Sequence, residues 1–234
     1  MSGPPPGPPP GGALQPWRLP DRPRAAVLLL HGGRAKGLTP SRPWHLAALR
    51  MRAFERAFAA ALPREDVLLA RVRYRHRGWN DDRADPVRDT LDALGELAVL
   101  TGPVPTVLVG HSMGARAALH AAGHPQVHGV VALAPWWPPG EPTHQLTGRH
   151  VVVLHGALDR VTSPVEAAAC LRRARSSTAR AAMAVVRDGD HAMLRRHRFW
   201  HHTAAAVVAH LLAPTGRPDP LPPECYEAAD APVL

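Results

Sequence analysis

Six short runs of apolar residues recur along the chain: Ala25–Leu30, Val67–Val72, Val104–Val109, Gly129–Ala134, His150–His155 and Ala181–Arg187. Most are continuous rather than alternating, which is the pattern of strands covered on both faces in a parallel sheet. Between them the period lengthens. Met51, Phe54, Phe58 and Leu62 recur at three- and four-residue steps while Arg50, Arg52 and Arg56 take the other side, which predicts an amphipathic helix. Val87, Leu91, Leu94 and Ala98 repeat the pattern behind Asp85, a capping residue type, and Pro86 at the first helical position. Ser163-Pro164-Val165-Glu166 reads as a capping box opening a helix to about Arg175. Trp200, Ala204, Val207 and Leu211 form a last stripe. Strand-then-helix alternation predicts an α/β fold: a mostly parallel sheet of about six strands, with right-handed crossovers and helices on both faces.

The ends differ from this pattern. Residues 1–24 are dominated by Pro and Gly, and residues 213–234 are again Pro-rich, with Asp219, Glu224, Glu227 and Asp230 among few apolar groups. Both are expected to be tails flanking one domain at 25–212. A chain of 234 residues can enclose a core without disulfides or a structural metal. Cys170 and Cys225 stand far apart in no pattern, which argues against a disulfide framework or a cysteine zinc site.

No apolar run approaches the roughly 18 residues of a membrane span, so no membrane partner is expected. The start, MSGPPPGPPPGG, has no positive n-region, and the cytoplasm is the expected compartment. The formal charge of +9 raises nucleic acid as a partner. The basic residues are almost all Arg, with Lys36 the only lysine, and are scattered over the whole length. P-loop, finger and RNA-binding signatures are missing, so no nucleic acid partner is expected.

Chemistry enters at Gly110-His111-Ser112-Met113-Gly114, between the strand Val104–Val109 and the helix former Ala115–Ala122. A Ser at a sharp strand-to-helix turn is held in strained backbone geometry, and flanking glycines remove side chains that would clash there. The turn lifts the hydroxyl out of the sheet, and the helix N-terminus adds positive potential where an oxyanion would form. A serine needs a base oriented by an acid. Asp159 lies in the loop past the strand His150–His155, and His191 lies past Ala181–Arg187. All three are therefore expected at the carboxyl edge of the sheet, where α/β proteins place their sites.

With these residues in place, the chain resembles the α/β-hydrolase superfamily over essentially the whole domain. The matching stretches are LLLHGGRAKG at 28–37, VGHSMGARAA at 109–118, VVALAPW at 130–136, VLHGALDRVTSP at 153–164 and RDGDHAML at 187–194. The resemblance implies Ser112 as nucleophile, His191 as general base and Asp159 as the acid orienting the imidazole. It implies an oxyanion hole from the backbone N–H of Met113 and one from the His31-Gly32-Gly33 loop, assigned to Gly33 with Arg34 as the neighbouring alternative. The implied activity is hydrolysis of an ester or related acyl bond in a small molecule, with no cofactor and no metal. Two departures stand out. Six strands fall short of the family's usual eight, and the segment between Ala134 and His150, where many members insert a lid, is a short Pro/Trp loop.

Substrate clues are thinner. Trp136 and Trp137 follow a strand end, where they either wall a pocket or cap the core. Arg71, Arg73, Arg75 and Arg77 alternate, which places them on one face of an extended segment, either as a solvated basic strand end or facing an anionic substrate. His197 and His201 have the i, i+4 spacing of a metal pair but lack an acidic partner motif. A binding protein on the same fold is the rival from another class, and acyl transfer or a perhydrolase reaction is the rival among enzymes.

Overall fold

The computed structural model describes residues 11–213, 218–227 and 231–234. The parts of the expected tails at 1–10, 214–217 and 228–230 lie outside the described residues. A single seven-stranded sheet runs through the centre in the spatial order β1-β3-β2-β4-β5-β6-β7. Its strands are β1 (Leu14–Arg18), β2 (Ala25–Leu30), β3 (Val67–Val72), β4 (Thr106–His111), β5 (Val127–Leu133), β6 (His150–Gly156) and β7 (Arg180–Val186). All pairs are parallel except β1 with β3.

The continuous apolar runs have the cause the sequence suggested. Along β2, Ala26, Leu28 and Leu30 join one core layer while Ala25, Val27 and Leu29 join the other. The first layer is closed by α2 (Asp85–Thr101), α3 (Met113–Ala121) and α4 (Pro164–Ala174), the second by α1 (Leu46–Ala61) and α5 (His197–Leu212). Met51, Phe54 and Phe58 of α1 are buried as their spacing required. In α2 the buried stripe is rotated from the expected one: Leu91 is exposed, and Asp89, Thr90, Ala93, Leu94 and Leu97 face inward. Asp85 lies inside α2 rather than at its cap, which falls on Ala84. The Ser163 hydroxyl does accept from the Glu166 N–H at 3.2 Å, as a capping box requires.

Two expectations change. The sheet of about six strands has a seventh, because the segment expected as an N-terminal tail contains β1. Pro16 sits in it without penalty because an edge strand has donors to spare, and the register with β3 slips between Pro16 and Arg18. The Glu96 carboxylate fixes its start by accepting from the N–H groups of Ala13 and Leu14 at 2.8 and 2.9 Å. At the other end, the segment expected as a C-terminal tail packs on the outer edge of β7. Leu221 and Cys225 are buried, with Cys225 in the short helix α6 (Glu224–Glu227). The Val185 N–H donates to the Pro232 carbonyl and the Leu234 N–H to the Val185 carbonyl, both at 2.8 Å, and Val233 bridges Val185 in parallel. This covers part of an otherwise open sheet edge. Among the described residues, no helix is long and apolar enough to cross a membrane.

Strand order reverses direction between β2 and its neighbours: the chain goes to β3 on one side and then to β4 on the other. The loops leaving the carboxyl ends of β2 and β4 therefore diverge, which opens a crevice at that edge.

Candidate active site

Ser112 occupies the turn between β4 and α3 with φ 55° and ψ −116°, a conformation costly for a residue with a Cβ. The turn is over-determined by its surroundings. The Ser112 N–H donates to the Leu133 carbonyl at 3.0 Å, and the Ser112 carbonyl accepts from the N–H groups of Arg116 at 3.1 Å and Trp136 at 3.2 Å. The flanking glycines are required by space. A Cβ on Gly110 would overlap the backbone of Gly114 and Ala115, and one on Gly114 would overlap the carbonyls of Leu30 and His31. The pentapeptide thus brings the start of α3 against the end of β2.

Asp159 and His191 come from the loops after β6 and β7. These loops are packed closely: the Leu158 N–H donates to the Gly189 carbonyl at 2.8 Å, and a Cβ on Gly156 would overlap Gly189. The three side chains meet. His191 Nδ1 lies 2.8 Å from Asp159 Oδ2, and His191 Nε2 lies 3.1 Å from Ser112 Oγ. With Nδ1–H donating to the carboxylate, Nε2 is left to accept the serine hydroxyl proton.

The Asp159 side chain is fully shielded from solvent. Burial alone would raise its pKa. The His191 hydrogen bond and the backbone N–H groups of Thr162 and Val161 outweigh that effect and hold the carboxyl well below the usual carboxylate range. Both N–H groups reach Oδ1, at 2.9 and 2.8 Å. Ionised Asp159 is therefore held in one orientation.

Two further residues belong to this arrangement and were not singled out from the sequence. Thr162 Oγ1 lies 2.9 Å from Asp159 Oδ2 and 3.2 Å from His191 Nδ1. Its only local signal is its place in a T-S-P turn three residues after an Asp. His111 is buried, its ring centroid 4.9 Å from that of His191, and its Nε2 is 2.9 Å from the His191 carbonyl. Burial, then the neighbouring His191, push the His111 pKa down to about 3, so this ring is neutral.

The loop after β2 supplies backbone donors. Gly33 is exposed, and a Cβ there would overlap the Met113 side chain and the Arg77 carbonyl, which places Gly33 directly beside the residue following Ser112. The Arg34 N–H is already committed to the Arg77 carbonyl at 3.0 Å. The N–H groups of Gly33 and Met113 have no acceptor among the described residues.

The remaining sequence candidates separate. The Trp137 indole is buried in the core beside α4, and its carbonyl faces Cys170 Sγ. Trp136 is half-buried, with the Arg116 guanidinium 4.3 Å above its ring and 3.9 Å from that of Trp79. Arg71 pairs with Glu55 and Arg75 with Asp89, whereas the Arg73 Nε donates to the Gly12 carbonyl. His201 packs edge-on against Phe54 at 4.6 Å, and no group of three or more ligand-type residues could hold a metal ion among the described residues.

Residues 27–234 match the family described as the alpha/beta hydrolase family. Solved structures share the architecture at low sequence identity. A putative alpha/beta hydrolase of unknown function from Agrobacterium tumefaciens superposes with a TM-score of 0.63 at 15% identity, covering 88% of this chain and 92% of that one. A thermophilic esterase from Thermogutta terrifontis, solved with butyrate bound, gives 0.61 at 15% identity, covering 87% and 91%. A monoacylglycerol lipase from Paleococcus ferrophilus gives 0.61 at 12% identity, covering 85% and 98%. No curated protein matches this sequence.

Proposed function

The chain belongs to the alpha/beta hydrolase family, and from that premise we propose that it is a carboxylesterase-like serine hydrolase acting on an ester or related acyl bond of a small molecule. The observation that carries this reading is the unbroken chain of contacts from Asp159 through His191 to Ser112 Oγ, at 2.8 and 3.1 Å. Esterases and a lipase among the structural neighbours support the same class of chemistry.

The mechanism follows from the atoms. Ser112 Oγ attacks the substrate carbonyl carbon while His191 Nε2 takes its proton. Asp159, held ionised, stabilises the imidazolium and keeps its ring in place. The carbonyl oxygen gains the negative charge, and the N–H groups of Gly33 and Met113 receive it, with α3 pointing its N-terminus at the same spot. Collapse of this intermediate breaks the bond to the leaving alcohol, which takes the proton from His191. Water then adds to the acyl-enzyme with His191 as base, and Ser112 leaves with its proton restored. Loss of one such backbone donor typically costs about 2.7–4 kcal/mol of transition-state stabilisation.

A fluorophosphonate probe tests the reading directly. Labelling is expected at Ser112, and Ser112→Ala should lower turnover of a p-nitrophenyl ester by about a thousandfold or more. Unlabelled Ser112 at high probe concentration, or unchanged turnover in the variant, overturns it.

A further inference from the structure

Two of the alternating arginines, Arg71 in β3 and Arg73 just past its end, line a cavity that the proposed mechanism does not use. Arg71 and Arg73 line a space of about 210 Å³ together with Arg42, Arg52, His31 and Ser41. Among the described residues, no Asp or Glu lines it. Arg71 is itself paired with the Glu55 carboxylate. Neither the Arg42 nor the Arg52 side chain has a hydrogen-bond or ion-pair partner among the described residues, although the Arg42 guanidinium rests 5.8 Å from the Trp44 ring centroid. Tyr74 also lines the space, and its buried hydroxyl has no hydrogen-bond partner among the described residues. Among the described residues the lining thus holds four arginines, two of them without a hydrogen-bond or ion-pair partner, beside Gln15, Ser41 and an apolar wall of Leu29, Ala48 and Met51, and a group that supplies acceptor oxygens and negative charge would complement it.

The cavity is joined to the candidate active site by one residue. His31 is half-buried, its ring 4.6 Å from that of Tyr74 and its Nε2 3.3 Å from Ser41 Oγ. Its backbone leads directly into Gly32-Gly33, and its carbonyl lies where a Cβ on Gly114 would be. The cavity thus borders the residue whose backbone opens the loop that presents Gly33.

We propose that this cavity binds an anionic group, a carboxylate or phosphate, carried on the acyl arm of the substrate. The inference rests on the hydrolase reading above and adds to it a substrate class, esters that bear a second, acidic end. Arg52, exposed on α1 at the cavity wall, would meet the anion without taking part in bond breaking.

The test compares two esters of equal length, p-nitrophenyl hexanoate and mono-p-nitrophenyl adipate, which differ by a methyl in place of a carboxylate. Arg52→Gln is expected to lower the adipate-to-hexanoate ratio of kcat/KM by about tenfold, chiefly through KM, as loss of a hydrogen bond to a charged group predicts. Arg52→Lys should restore most of it. Calorimetry with free adipate and with inorganic phosphate, on the wild type and on Arg52→Gln, separates the sources. Binding that weakens in the variant supports the anion site even if neither ester is turned over, an outcome that would sink the hydrolase reading alone. An unchanged ratio with Arg52-dependent binding of the free anions overturns the substrate-borne source. An unchanged ratio with no binding overturns the proposal while leaving the hydrolase reading intact.

Discussion

The His111 ring nitrogen Nε2 lies 2.9 Å from the backbone carbonyl of His191, so the residue preceding the candidate nucleophile holds the loop that carries the candidate base. As the only hydrogen on a neutral ring this Nε2–H must donate, and Nδ1 is left buried without a partner. His191, Arg50 and Asp159 are the charged or titratable groups that face it.

This contact has a pH signature. Burial, and then His191, press the folded-state pKa of His111 to about 3, against an ordinary value of 6.5. The unfolded chain therefore binds the extra proton first, and stability must fall as pH drops from about 6.5 toward 3. The contribution is complete above the unfolded value and amounts to a few kcal/mol as an order of magnitude. Urea unfolding at pH 7, 5.5 and 4.5 should show a shallower decline in His111→Gln, which keeps a donor but cannot be protonated. Parallel declines in the two proteins would remove His111 from the account.

The convergence of Ser112, Asp159 and His191 was legible in the sequence because each follows the carboxyl end of an apolar run. A parallel sheet collects all such ends on one edge, whatever the strand order. The glycines around Ser112 were legible for a local reason, since a strand-to-helix turn that tight leaves no room for a Cβ. The strand β1 was not. Leu-Gln-Pro-Trp-Arg carries one fully buried residue, Leu14, and owes its extended form to β3 and to Glu96, more than 80 positions away. The C-terminal segment was hidden for the same reason, since its order comes from β7 and not from its own pattern. Thr162 and His111 were missed because their place depends on which way a side chain turns, and that is settled only by neighbours distant in sequence.

Two acidic residues near His191 offer a sharper test of the candidate acid. Asp159 faces the His191 ring, whereas Asp190 Oδ1 accepts from the N–H groups of Leu194 and Arg195, both at 2.9 Å, and only shapes the loop. Asp159→Asn replaces the acceptor for Nδ1–H with a group that favours the wrong ring tautomer, and a fall in kcat of about four orders of magnitude is expected. Asp190→Asn keeps an acceptor oxygen for the loop and should stay within a few-fold of the wild type. Steady-state kinetics with p-nitrophenyl butyrate measures both. If Asp190→Asn is the crippled variant and Asp159→Asn is active, the acid has been misassigned.

The short loop between β5 and β6 is held by a charge cluster that links it to α3. Arg116 stacks between the rings of Trp79 and Trp136, and its guanidinium and the His120 imidazole both engage the Glu141 carboxylate. Arg173 adds a hydrogen bond to the Glu141 carbonyl at 2.8 Å. The carboxylate is nearly buried, with its side chain 10% exposed. Burial would raise its pKa, but His120 and Arg116 outweigh that and lower it. Glu141→Ala leaves Arg116 and His120 facing each other without a counter-charge, a type of loss that costs about 3–5 kcal/mol when the pair is buried. The melting temperature should drop by roughly 6–20 °C for a chain of this size. Because the folded carboxyl titrates below its unfolded value, its stabilisation is present above the ordinary Glu range and is lost as pH falls through the lowered folded value. The gap between wild type and Glu141→Ala should therefore narrow below about pH 4.5. Since the Arg116 N–H is bonded to the Ser112 carbonyl, the same variant should also lose turnover at temperatures where it remains folded. A melting temperature within a degree of wild type would show that the loop is held by its prolines and Trp137 instead.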